Sequence, residues 1–273
     1  MASKTDFTLY WDANFVSSQQ IWLMMQVAQI DAYFIQRAIL SGDVLTAQDD
    51  DLPKGLWLPV LRDGERASEG AERCFLRLMD DDAIKKLRGP AWLDGRAYGL
   101  CKNALACENH LLLIEGEFLY RPQMRSLKKI APYYGENIHD EVKAKLLYNI
   151  ILGKISAKAL RLSLEFIHEN LVRINNHLGF QLCLNADDFG LADILWLPII
   201  RRLDYMGWPL QNYSEIYPWY RGACAYFPQS REFDIFENLP SKTQYNLWQK
   251  ISWLGSRDLL SSLKLMGINK KAD

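Results

Sequence analysis

The sequence predicts an α+β chain of two unlike parts, a small mixed strand-and-helix unit followed by a larger all-helical one. Three observations carry this. Strand-like runs rich in aromatic and β-branched residues nearly vanish beyond about residue 84. From there on, apolar residues recur at helical spacings of three and four. A turn dipeptide, Asp63-Gly64, separates two short extended runs just ahead of a helical pattern.

The elements follow in order. Phe7-Thr8-Leu9-Tyr10-Trp11 reads as a strand, and Ile21, Leu23, Met24, Val27 and Ile30 then form a helical stripe. Residues 32–39 have strand length. Residues 56–61 make a third strand interrupted by Pro59, a short fourth strand lies around Arg66, and Ala71, Cys74, Phe75 and Met79 return to the helical period. The first unit is therefore β-α-β followed by ββα. In the second, residues 100–114 and 142–151 read as helices. Leu160, Leu164, Ile167, Leu171, Ile174 and Leu178 place one apolar face on a longer helix. Residues 191–203 are apolar almost all round, as in a helix buried inside a bundle, and Pro198 within them predicts a kink or irregular turn. Residues 219–226 and 243–266 supply further helical segments. The boundaries this gives are 1–83, 95–240 and a helical extension, 241–273, whose apolar side is expected to dock on the body.

Composition excludes several classes. The 273 residues hold 32 basic and 33 acidic side chains, so a surface for nucleic acid or anionic lipid would need local clustering, and none is visible. The amino-terminal residues lack the apolar stretch of a signal peptide, and no run of about 18 apolar residues is present, so the expectation is a cytoplasmic protein without an integral membrane segment. Five cysteines without a CxxC pair, and four scattered histidines, argue against a metal site or a disulfide framework.

The most informative segment is Leu58-Pro59-Val60-Leu61-Arg62-Asp63-Gly64 with Ser68-Glu69-Gly70-Ala71. A proline opening a strand, a tight turn and an acidic residue opening a helix describe a thioredoxin-like ββα unit. A cis proline there turns the preceding backbone N–H and C=O outwards to pair with an extended peptide. The next helix start offers N–H groups to a carboxylate, and Glu69 can take an ammonium. In the second half, Phe189-Gly190-Leu191-Ala192-Asp193-Ile194, then Leu197-Pro198, Arg201-Arg202-Leu203 and Tyr217-Pro218-Trp219-Tyr220, resembles the glutathione S-transferase carboxy-terminal domain. Asp193 fits that family's buried capping box, while Gly190 replaces its usual Ser or Thr. The resemblance runs from about residue 7 to 235. Leu9-Tyr10-Trp11 with residues 15–23 looks most like the ganglioside-induced differentiation-associated proteins and the tetrachlorohydroquinone dehalogenase-like transferases.

This resemblance implies an enzyme in which a bound glutathione thiolate attacks an apolar electrophile, by conjugation, dehalogenation or glutathione-dependent lyase or isomerase chemistry. The alternative is a degenerate transferase fold serving as a ligand-binding or protein-interaction module. The usual serine position holds Phe15, the cysteine position holds Ser17 and the tyrosine position holds Trp11. Ser17 is thus the expected thiol donor, with the N-cap of the first helix as its other role and Ser18 as rival cap. Asn14 is a second candidate donor. Leu58 presents its backbone to the cysteinyl part, Pro59 is the cis proline, and Glu69 holds the γ-glutamyl ammonium. Gly70 stands where Ser or Thr contacts the γ-glutamyl carboxylate, a loss of about 1.5–3 kcal/mol. Lys54 is a candidate for the glycyl carboxylate. Trp11, Phe15, Cys101, His110 and Tyr120 are the expected acceptor-pocket lining. The family also implies a homodimer.

Overall fold

The computed structural model describes residues 7–40, 55–89, 92–93, 95–121, 127–186, 188–233 and 258–268. Strands β1 (Phe7–Trp11), β2 (Ala32–Gln36), β3 (Val60–Asp63) and β4 (Arg66–Glu69) form one sheet in the order β2-β1-β3-β4. Helix α1 (Val16–Val27) is the crossover that lets β1 and β2 run parallel, with Phe7 opposite Ala32 and Trp11 opposite Gln36. The β3–β4 hairpin then adds antiparallel to β1, Tyr10 facing Val60, and helix α2 (Ala71–Leu78) folds back on it. Residues 56–59, expected as part of the third strand, precede it; the strand begins only after the Leu58–Pro59 bond, because proline has no N–H for a ladder.

Helix α1 is buried from Val16 to Met25, on its polar side as well. It lies between the sheet and the helical part, so its glutamines must find partners inside. Gln20 Nε2 donates to the Leu195 carbonyl at 2.9 Å, and Gln19 Nε2 to the Ala13 carbonyl at 2.6 Å. Trp22 stacks on Trp11, ring centroids 5.2 Å apart.

The helical part comprises α3 (Asp82–Lys86), α4 (Arg96–Ala106), α5 (Glu108–Phe118), α6 (Ala131–Asn137), α7 (Glu141–Ile151), α8 (Ala157–Leu178), α9 (Leu191–Tyr205), α10 (Ile216–Tyr226) and α11 (Leu259–Leu265). Local chemistry sets several starts: Asp81, Asp140, Ser156 and Asp258 cap α3, α7, α8 and α11 with side-chain oxygens. The run 100–114, expected as one helix, is two, broken at Cys107. Helix α9 is the central rod and continues through Pro198. Of the carboxy-terminal extension, only 258–268 are among the described residues; there Leu259 and Leu263 are buried in the common core.

The start of α9 keeps only one half of the capping box, as Gly190 in place of Ser or Thr implies. Asp193 Oδ2 accepts the Gly190 N–H at 3.0 Å, but glycine has no side chain to answer it. Asp193 instead gathers three more donors: the N–H groups of Leu184 (2.8 Å) and Asn185 (3.2 Å) and the Trp219 indole (2.7 Å). No helix among the described residues is long and apolar enough to cross a membrane, and no group of three or more His, Cys, Asp or Glu among them is placed to hold a metal ion.

Candidate active site

The loop between β1 and α1 is clamped from both sides. Asp12, fully buried, accepts the Asn14 N–H at 2.8 Å, the Asn14 side-chain amide at 3.1 Å and the Ile39 N–H at 2.7 Å. Burial pushes the Asp12 carboxyl up to about 6, against the hydrogen bonds from Ile39 and Asn14 that favour its charge. On the other side, the Asn14 carbonyl accepts the Tyr120 hydroxyl at 2.7 Å and Arg202 Nη1 at 3.0 Å. Arg202, from α9, also donates to Glu115 Oε1 at 2.7 Å and to the Tyr120 hydroxyl at 2.8 Å. Asn14 is therefore the pinned point of the loop, its amide turned to Asp12 rather than offered to a thiol.

Beyond the clamp, Phe15 is the N-cap of α1 and makes no side-chain cap bond. Ser17 lies inside the first turn, so capping is not its role. Its Oγ is buried without a hydrogen-bond partner, the residue being 2% exposed, and Ser18 Oγ is likewise buried and unpartnered. Ser17 faces a narrow cleft of about 10 Å³, the room of one water, walled by Phe15, Val16, Trp57, Glu108, Leu111, Leu112 and Glu115. An orphaned hydroxyl at a helix amino terminus, opening on an apolar cleft, is a hydrogen-bond donor in want of an acceptor.

Trp57 covers this cleft and was not anticipated. Its backbone N–H donates to Glu69 Oε1 at 2.6 Å and its indole to Glu108 Oε1 at 2.8 Å. Phe15 meets it edge-on at 6.0 Å, and the Lys143 ammonium lies 5.3 Å from its ring while pairing with Glu108. A signal existed in the sequence: Glu108, Leu111, Leu112 and Glu115 fall at i, i+3, i+4 and i+7, one helix face with a carboxylate at each end.

The peptide receptor is assembled beside Trp57. The Leu58–Pro59 bond is cis, and the Pro59 carbonyl accepts the Gly70 N–H at 2.8 Å. Glu69 pairs with Val60 in the ladder, and its carboxylate is engaged by Trp57. Gly70 holds φ +80 with open space where a side chain would project, so its backbone conformation rather than crowding selects glycine there. The Cys74 thiol lies against the Ser68 carbonyl at 3.1 Å, and burial pushes it up to about 12, which makes it inert. Lys54 lies outside the described residues.

Solved structures similar to this chain include glutathione transferases and a β-etherase. The β-etherase LigF from Sphingobium sp. strain SYK-6 is 13% identical over 88% of this chain and 98% of that one, with a TM-score of 0.65. A glutathione S-transferase from the Antarctic clam Laternula elliptica is 13% identical over 95% and 98%, TM-score 0.57. A delta-class glutathione transferase of Nilaparvata lugens is 19% identical over 83% and 92%, TM-score 0.55. The chain has the glutathione-transferase fold. No protein-family model and no curated protein matches the sequence.

Within this transferase fold, the expected pocket residues separate. Phe15 lines the cleft, and Tyr120 stands behind it as a support for Asn14. Trp11 belongs to the core under the sheet, stacked on Trp22. Cys101 is buried in α4 with its thiol pushed up by burial. His110 turns towards α8, stacked on Phe166 at 4.0 Å with Nδ1 3.1 Å from Ser163 Oγ, and burial lowers its pKa. Neither Cys101 nor His110 borders the cleft.

Proposed function

We propose that this chain is a glutathione-dependent transferase in which Ser17 stabilises the thiolate of bound glutathione for attack on an apolar electrophile. The observation that carries the reading is the Ser17 hydroxyl, buried and unpartnered, on a residue that lines the cleft at the start of α1. A thiolate there gains one hydrogen bond and the positive end of the helix. The cysteinyl backbone pairs with Leu58 beside cis Pro59; Glu69 exchanges the Trp57 N–H for the γ-glutamyl ammonium, and Gly70 offers its N–H. In the reaction the thiol proton passes to water, the sulfur pair forms the bond to the electrophilic carbon, and the leaving group departs with its electrons. An ether is one such electrophile, in keeping with the β-etherase among the similar structures. The protein is placed in this reading as a cytoplasmic homodimer, in the branch that residues 9–23 resemble, and Lys54 as a ligand of the glycyl carboxylate.

A second reading, a transferase fold that binds partners without turnover, is favoured by one observation: the cleft has room for about one water, and Glu69 is already engaged by Trp57. Calorimetric titration with glutathione separates the two. Millimolar-range binding weakened by Glu69→Ala supports the enzyme, and heat-silent titration with an unmoved melting temperature supports the module. Among binders, unchanged turnover in Ser17→Ala would overturn the proposed role of Ser17.

A further inference from the structure

Two glutamates, Glu108 and Glu115, are among the residues lining the cleft with Ser17, and they differ in what stands behind them. Glu108 is tied to the Trp57 indole and the Lys143 ammonium. Glu115, two turns further along α5, receives Arg202 Nη1 at 2.7 Å; Arg202 is 0% and Glu115 2% exposed. From that position the guanidinium also reaches the Asn14 carbonyl and the Tyr120 hydroxyl, one residue before Phe15 and three before Ser17. Its field crosses the loop as well: it favours the charged form of Asp12 on the far side.

Resting on the reading that Ser17 holds a glutathione thiol, we infer that the Glu115–Arg202 pair sets the acidity of that thiol. Glu115 borders the space where the sulfur's charge develops and opposes it; Arg202, behind Glu115, offsets that opposition. At residues this deeply buried, neither charge is screened as it would be at the surface. The step affected is the ionisation alone: the S–H bond breaks, the electron pair stays on sulfur and the proton goes to water. Both residues act through the field and through Asn14, so they are positioning residues.

The other charged and titratable groups around the cleft are accounted for by their own partners. Asp12, after β1, is bound by Asn14 and Ile39, and Glu69 on β4 by Trp57. Glu108 on α5 and Lys143 on α7 pair with each other. Tyr120 donates to Asn14. Among the described residues, Glu115 and Arg202 form a buried ion pair on the inner wall, and removing either partner changes the charge near the sulfur.

The test is the pKa of the enzyme-bound glutathione thiol, followed by thiolate ultraviolet absorbance against pH, with binding measured in parallel by calorimetry. Glu115→Gln is expected to lower that pKa by about one unit, a tenfold increase in acidity, because the Glu115 charge then no longer opposes the thiolate. Arg202→Met is expected to raise it. Should that variant fail to fold, Glu115→Gln combined with Arg202→Met, uncharged on both sides, is expected to return the pKa towards wild type. A bound thiol whose pKa is the same in wild type and Glu115→Gln overturns the inference while leaving the glutathione reading intact. Absence of glutathione binding by the wild-type protein overturns that reading, and this inference with it.

Discussion

The Asn185 side-chain amide occupies the volume that a side chain at Gly190 would need, and both face the carbonyl oxygen of Leu87. A Cβ at Gly190 would lie 2.5 Å from that oxygen and 2.5 Å from Asn185 Cγ. The Leu87 carbonyl is itself used, accepting the Leu191 N–H at 3.0 Å, so the end of α3 is stitched to the first turn of α9. Restoring a hydroxyl cap by Gly190→Ser is therefore expected to destabilise the protein, an overpacking cost of about 1–3 kcal/mol against a capping gain of about 1 kcal/mol. Adding Asn185→Ala should recover only part of the loss, since the backbone oxygen remains. Urea unfolding of the single and double variants checks this; a more stable Gly190→Ser protein would contradict it.

Ser17 and Ser18 give a comparison in which stability and function part. Both hydroxyls are buried without partners, a desolvation cost of about 1–3 kcal/mol each that folding must absorb. Ser17→Ala and Ser18→Ala are each expected to leave stability unchanged or raise it by up to about 1 kcal/mol. Only Ser17 lines the cleft, so only its replacement should reduce the thiolate absorbance of bound glutathione. Equal effects of the two substitutions on that absorbance would remove the case for Ser17.

How much of this was legible in the sequence follows from how local each signal is. The β3–β4 hairpin was readable because Asp63-Gly64 is a turn dipeptide, and Pro59 because its place before a strand is a local feature. Helix α8 was readable from its apolar period and α9 from being apolar almost all round. The capping role considered for Ser17 was a local inference that tertiary structure displaced: the chain turns into the helix at Phe15, whose carbonyl accepts the Gln19 N–H at 3.0 Å, leaving Ser17 inside the first turn. The far side of the clamp on Asn14 was invisible because Tyr120 and Arg202 are 106 and 188 residues away, in the segment after α5 and in α9. Pairings across such distances leave no period to read. Trp57 falls between these cases, since its aromatic character was plain but its two carboxylate partners are 12 and 51 residues away.

The Lys143–Glu108 pair ties α7 to α5 over the Trp57 ring, with side-chain exposures of 9% and 17%. Removing one partner strands a largely buried charge, so Lys143→Met and Glu108→Gln are each expected to cost about 3 kcal/mol. The double variant should cost less than the two together, with a coupling of about 1–3 kcal/mol in a denaturant double-mutant cycle. Strict additivity would mean that the pair contributes nothing beyond its separate contacts.

Two buried aspartates make the pH dependence of stability specific in sign. Asp12 and Asp193 are each pushed up to about 6 from an ordinary 3.8, chiefly by burial; hydrogen bonds from Ile39 and Asn14 in the one case, and from Gly190, Trp219, Leu184 and Asn185 in the other, work against it. The native state therefore holds these protons at pH values where the unfolded chain has released them. Where the native state binds more protons, stability falls as pH rises. The contribution of both groups is thus fully present below about pH 4 and is lost as pH rises through about 6, opposite in sense to Asp82, whose carboxylate is held low by its hydrogen bond from Lys85. Carbon-13 NMR of labelled aspartate should show two midpoints near 6. Asp193→Asn, with one carbonyl oxygen in place of an acceptor for four donors, should be less stable than wild type above and below that range. The stability of the wild type relative to this variant should fall between about pH 4 and 6, where the native state keeps the Asp193 proton that the unfolded chain has released. A relative stability that rises across that interval would mean that the four hydrogen bonds outweigh burial and that Asp193 is ionised throughout.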